Sequence, residues 1–194
     1  MPPARRVLAA LVLGVSLVTL GCGDPPEKEM QQAQGAIDAA RAAGADRYAQ
    51  DEFAAAQTAL KKAHDAVADR DYRLALNHAL DSREQAQNAA KDAADHKAAV
   101  RTDADRAVNA AMAALNDAHT KLKAAETARV PVRTLAEPRR IITDADTAVQ
   151  KARALFGEGD YLGVLEALRP LTPRLQEIAH TLDTAAAGPG RRRR

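Results

Sequence analysis

The 194-residue sequence has no Trp, a single Cys, and only five aromatic residues, three Tyr and two Phe. One Cys excludes a disulfide framework and any multi-Cys zinc site. So few rings leave no platform of interleaved aromatic and basic residues on which nucleic-acid bases would stack. Gly and Pro are missing from residues 45–130, so helix ends there have to be read from caps and apolar spacing. No apolar run reaches the about 20 residues a membrane-spanning helix needs. What the chain does have is Ala, 47 residues or about a quarter of the total, with Glu, Gln, Lys, Arg and Leu around it. Ala has the best helix propensity and little to offer a sheet, so the expected class is all-α, and all-β or doubly wound folds are excluded. The length suits one ordinary domain or two small ones.

Arg5 and Arg6 precede Val7 to Leu20, an uncharged apolar stretch of about 14 residues, which has the form of an export signal. It ends Thr19-Leu20-Gly21-Cys22, which resembles the lipobox of bacterial lipoproteins. Gly21 and Cys22 fit that pattern, whereas Thr19 and Leu20 stand where an aliphatic and a smaller residue are commoner. The resemblance implies cleavage before Cys22, acylation of its sulfur and amine, and a mature protein held on a membrane by several acyl chains, as stable anchoring requires. A lone thiol in an exported chain agrees with this assignment. Gly23 follows the Cys and Asp24 falls one place later than the inner-membrane retention signal, so the resemblance favours the outer membrane, periplasmic face.

The body is expected to start almost at once, with Asp24 capping and Pro25 opening a helix that ends near Gly44. Tyr48 and Phe53 are placed for a hydrophobic staple around a start at Gln50. Phe53, Ala56, Leu60, Ala63 and Val67 then share one face. After a stop at residues 68–71, Asp71 caps a helix opening at Tyr72. Steps of three and four run on through 76, 79, 83, 86, 90, 93, 97, 100 and 104 to 125, interrupted only by Arg83 and Lys97. That is one coiled-coil-like helix, or two that break at Thr102-Asp103. Its seam is mostly Ala, which gains little per residue on burial and demands close packing. The expectation is an elongated antiparallel bundle of helical hairpins: a signal over 1–21, a long hairpin region over 22–130, a loop over 131–140, a second hairpin over 141–187 and a flexible basic tail over 188–194.

Thr58, Ala59, Lys62, Ala63, Asp71, Tyr72 and Leu76 all recur 89 positions later, at Thr147, Ala148, Lys151, Ala152, Asp160, Tyr161 and Leu165. This points to a duplicated helix-turn-helix. Gly157-Glu158-Gly159-Asp160-Tyr161 with Val164, Leu165 and Leu168 also resembles the turn and second helix of a tetratricopeptide repeat, over half a repeat and without the 34-residue period. The stretch from Ala39 to Phe53 (AARAAGADRYAQDEF), followed by the Asp71-Tyr72 hairpin, looks like a family of α-helical bacterial lipoproteins known only as a domain of unknown function. That resemblance covers roughly residues 25–100, and it implies an envelope location and no reaction.

Chemistry-bearing patterns are scarce. His64, His78, His96, His119 and His180 include no pair at one-turn spacing, so no zinc site is expected. Thr102-Asp103-Ala104-Asp105 and Thr143-Asp144-Ala145-Asp146 lack the further ligands of a calcium loop and are read as Thr-capped acidic first turns. No phosphate loop, nucleophile elbow or cofactor motif is present, and no enzyme is expected. The aromatic residues Tyr48, Phe53, Tyr72, Phe156 and Tyr161, with Asp71 and Asp160, are read as anchors where hairpins turn; stacking on glycan sugars is the alternative. Arg191, Arg192, Arg193 and Arg194 offer a contact for anionic lipid or another acidic envelope polymer. Without the signal and these four Arg, residues 22–190 carry 22 basic against 26 acidic groups. The formal charge of +2 therefore does not describe the helical body.

The functional expectation is a lipid-anchored, non-catalytic envelope scaffold or adaptor for a protein partner, without nucleic acid. The competing class is a module that holds peptide, glycan or lipid in a groove between hairpins. A scaffold would expose the Ala stripe of residues 81–99, and a groove lined by Tyr72, Tyr161 and Phe156 would favour the binding module.

Overall fold

The computed structural model describes residues 24–188, so Thr19, Leu20, Gly21 and Cys22 and the terminal Arg191, Arg192, Arg193 and Arg194 lie outside the described residues. The helices are α1 (Glu27–Ala42), the single turn α2 (Ala45–Tyr48), α3 (Gln50–Ala68), α4 (Tyr72–Thr127), α5 (Val132–Glu158), α6 (Tyr161–Leu168) and α7 (Leu171–Ala187). No strand occurs among the described residues, and the fold is all-α. Two compact units divide between Asp95 and His96, inside α4.

In the first unit α1 buries Ala33, Ile37 and Ala40, and α3 buries Phe53, Ala56, Leu60 and Ala63. The α4 seam is Ala75, Ala79, Ser82, Ala86, Ala89 and Ala93, each fully buried. The predicted seam shares 79, 86 and 93 with it but takes 76, 83 and 90 where the structure takes 75, 82 and 89. Arg83 explains the rotation, since its guanidinium lies outside and donates to Gln32 Oε1 at 2.9 Å. Ser82 goes inside instead, because its hydroxyl donates to the Ala56 carbonyl at 2.8 Å and satisfies its own burial. The Ala stripe of residues 81–99 is therefore an exposed face only in part: Ala86, Ala89 and Ala93 are interior, whereas Ala94, Ala98 and Ala99 are exposed.

The second unit has a larger core, in which Ala111, Leu115 and Ala118 of α4 pack with Leu135, Ile142 and Val149 of α5, Val164 and Leu168 of α6, and Leu175 and Leu182 of α7. Three local expectations change here. Helix α4 is continuous through Thr102, whose hydroxyl donates to the Ala98 carbonyl at 3.1 Å rather than capping. Thr143 likewise donates to Arg139 O at 3.0 Å within α5. The loop expected over 131–140 is helix from Val132 onward, with Pro138 inside it. An interior Pro costs about 3 kcal/mol; burying Leu135, Ile141 and Ile142 at roughly 1.5–3 kcal/mol each outweighs that. At the other end of the chain, α1 begins at Glu27 after Pro26 without a side-chain cap, so Asp24 does not cap it.

Burial follows the 89-residue offset over more positions than the matching residues do. Ala56, Leu60, Ala63, Ala75, Ala79, Ala86 and Ala93 are buried, and 89 positions on so are Ala145, Val149, Ala152, Val164, Leu168, Leu175 and Leu182. The first helix of each unit repeats too, at a separation of 78: Ala33, Ile37 and Ala40 match Ala111, Leu115 and Ala118 in burial and spacing. Each unit is thus a three-helix assembly in one register, with α4 serving as last helix of the first and first helix of the second. In the second unit the last helix is interrupted at Pro170, between α6 and α7.

The hairpin turns are superposable in their bonding. Arg70 (φ 60°) and Gly159 (φ 81°) take the left-handed position after α3 and α5. Asp71 N donates to Ala66 O at 2.9 Å, and Asp160 N to Leu155 O at 2.9 Å, the six-to-one bond of a Schellman ending. Each Asp then caps the next helix, Asp71 Oδ1 accepting from Leu74 N at 3.0 Å and Asp160 Oδ1 from Gly163 N at 3.3 Å. Gly163 suits its place, since a Cβ there would run into the Asp160 carboxylate. Exchanging Asp71 or Asp160 for Ala is expected to lower stability by about 1 kcal/mol each, with Asn in place of either Asp restoring most of it; denaturant melts of the four variants check this.

Two ion pairs and a histidine contact close the second unit at its surface: Lys121 Nζ to Asp183 Oδ1 at 2.9 Å, Arg139 Nη2 to Glu126 Oε1 at 2.8 Å, and His119 Nε2 within hydrogen-bond distance of Asp146 Oδ2 at 3.1 Å. The hydrogen bond and charge of Lys121 hold the Asp183 carboxyl below its ordinary pKa, and Asp183 raises Lys121 in return. A lowered acid stabilises the fold above its unfolded pKa and loses that effect as pH falls through the folded value; a raised amine does the converse at high pH. The pair is solvent-exposed and its contribution small. Thermal melts of wild type and Asp183→Asn should therefore differ by a constant small amount from about pH 5 to 9, and converge below about pH 4.

Candidate functional site

The most developed concavity described lies within the first unit, between α1 and α3. The 3.6-residue repeat of α1 brings Met30, Gln34, Ile37 and Arg41 along one edge, and α3 supplies Gln57, Leu60, Lys61, His64 and Val67 along the other. Two hollows adjoin there. One of about 460 Å³ is lined by Pro25, Glu27, Met30, Gln31, Gln34, His64 and Val67. The other, about 320 Å³, is lined by Gln34, Ile37, Arg41, Gln57, Leu60, Lys61 and His64. They share Gln34 and His64, and so form a trough.

Its floor is apolar, with Ile37 and Leu60 buried and Met30 and Val67 half-buried. Its rim is mixed: Glu27, Arg41, Lys61 and His64 with three amides. Arg41 is held in place by Asp38 Oδ1 at 3.2 Å and lies over the Phe53 ring, 5.5 Å from its centre. A floor of this kind suits apolar side chains of a peptide or helix, with the amides able to hydrogen-bond a passing backbone. The walls bring together no nucleophile with a base and no pair of carboxylates.

The residues singled out from the sequence do not gather at this trough. Tyr48 and Phe53 are buried beside the α2–α3 junction. The Tyr48 ring lies against Gly44, whose φ of 88° and 3.3 Å clearance to that ring leave little room for a side chain. Tyr72 is half-buried at the start of α4. In the second unit Phe156 and Tyr161 meet edge to face across the α5–α6 turn, centroids 5.2 Å apart and planes at 61°. Asp71 and Asp160 are spent on caps. All seven thus stand at turns, and none lines the trough.

Sequence reasoning missed Met30, Gln34, His64 and Val67 because a shallow interhelical trough leaves no motif. The one available signal was that Met30 and Val67 extend the apolar faces of α1 and α3 past their cores. Among the described residues no group of three or more His, Cys, Asp or Glu is placed to hold a metal, and no helix is long and apolar enough to cross a membrane. Comparison of the chain with protein-family models, with curated proteins and with solved structures found no match.

Proposed function

We propose that the chain is a bacterial lipoprotein, anchored through acylated Cys22 to the periplasmic face of the envelope, outer membrane favoured, and acting without catalysis as a scaffold or protein-interaction adaptor. The observation that carries the adaptor reading is the recurrence of one three-helix arrangement with matching buried positions, which multiplies helical faces. The anchoring half rests on the lipobox-like run Thr19-Leu20-Gly21-Cys22, and the interval from Cys22 to the start of α1 at Glu27 is short. It would hold the first unit, and the trough that opens at Pro25, close to the membrane surface. The partner is an envelope protein.

A second reading, a module that binds peptide, glycan or lipid, draws on the trough itself. Its apolar floor and amide walls suit an amphipathic helix or extended peptide better than a sugar, since the aromatic rings that would stack on a glycan stand elsewhere. Crosslinking in intact envelopes followed by mass spectrometry separates the two: a protein joined through helical faces supports the scaffold, a peptide joined through Gln34 or His64 the module.

Cys22→Ala should release the protein from the membrane fraction and abolish incorporation of labelled fatty acid; retention of both would refute the lipid anchor. The four terminal Arg are the proposed contact for anionic lipid or polymer, each worth about 1 kcal/mol near an anionic surface. Deleting Arg191 to Arg194 should weaken binding of the unacylated protein to phosphatidylglycerol vesicles at least tenfold at low salt, and have no effect on neutral vesicles.

A further inference from the structure

We infer that residues 94–103 form a separately opening segment of α4, a built-in weak point that uncouples the folding of the two units. The heptad seam of α4 runs through this segment in register, but it is not covered there. Ala93 and Ala104 are fully buried, whereas residues 94–99 are all exposed and, of residues 100–103, only Val100 is even half-buried. The division between the compact units falls inside the same stretch.

With so little packing, this stretch of the helix rests on intrinsic propensity and on local side-chain pairs such as Asp103 with Arg106 at 2.9 Å, which contribute only a few tenths of a kcal/mol, roughly 0.2–0.5. The composition does not compensate. Ala94, Lys97, Ala98, Ala99 and Arg101 are good helix formers, but Asp95, His96, Val100, Thr102 and Asp103 are weak ones, and the Thr102 hydroxyl bonded back to Ala98 O is a contact that slightly destabilises helices. Local opening free energies follow buried contacts, so the segment should open on its own while Ala86 to Ala93 and Ala104 to Leu115 stay closed. For an adaptor, this would let each unit meet its partner without straining the other.

Hydrogen exchange on the full chain at neutral pH tests this directly. Amides of residues 94–103 should exchange at least tenfold faster, after correction for intrinsic rates, than those of residues 82–93 and 104–118. Equal protection across all three stretches would overturn the inference. In the variant Ala98→Gly/Ala99→Gly the segment should exchange at least about fivefold faster again with the flanking rates unchanged. A parallel rise in the flanks would show that α4 opens as one cooperative unit, and would equally overturn it.

Discussion

Close approach of helix backbones is the constraint on which this architecture depends. Burying an Ala gains about 0.8 kcal/mol for its one methyl group, against roughly 1.5–3 kcal/mol for Leu or Ile. A seam of Ala75, Ala79, Ala86, Ala89 and Ala93 therefore contributes only where the facing helix comes near enough to touch a Cβ. The Ser82 hydroxyl records how near α3 is, since it reaches a main-chain carbonyl of that helix, Ala56 O, at 2.8 Å. Ala79 and Ala86 are fully buried on the same seam, so a larger residue at either would overpack it. In the first unit stability is thus shared among many small contacts, with Ile37, Phe53 and Leu60 supplying the few large ones.

The second unit solves the same problem with different residues. At positions equivalent to Ala75, Ala79, Ala86 and Ala93 it buries Val164, Leu168, Leu175 and Leu182. Larger side chains tolerate wider helix separation and gain more per position. They also offset two features that the first unit lacks, Pro138 inside α5 and the interruption at Pro170. The acidic excess of the body belongs wholly to the first unit, where residues 24–95 carry nine basic and fourteen acidic groups; residues 96–188 carry thirteen and twelve. Duplicated register with diverged core and charge gives two surfaces of different character from one structural plan.

The helices were legible in the sequence wherever a local signal specified them. Asp71 caps as the sequence predicts, Asp160, expected only as a turn anchor, caps as well, and Gly44 and Gly159 end helices in the left-handed region. The 89-residue echo falls on equivalent turns, and buried positions follow the same offset over more of the chain than the recurring residues do. The failures have a common cause. Ala faces core and solvent with almost equal ease, so alternate positions of the first half of the α4 seam, 76, 83 and 90, are predicted one residue away from the buried 75, 82 and 89, which the partners of Arg83 and Ser82 select. Thr102 and Thr143 were read as caps because a Thr-Asp pair suits a cap, yet the same hydroxyl can bond to a carbonyl four residues back in a helix interior. Pro138 was read as loop because the burial that overrides it, by Leu135, Ile141 and Ile142, is a tertiary effect.

The trough between α1 and α3 was not legible for a related reason: its walls are Gln34, Gln57 and His64, residues that any solvated helix face might carry. Function by surface leaves a weaker trace in sequence than function by chemistry, because a catalytic group must be one residue type in one place and a docking face need only have a shape. On the proposed adaptor reading a partner would meet the outer faces of the helices, and the floor of the trough, with Met30, Ile37, Leu60 and Val67, is a place where burying a partner's side chains would contribute more than a methyl group at a time.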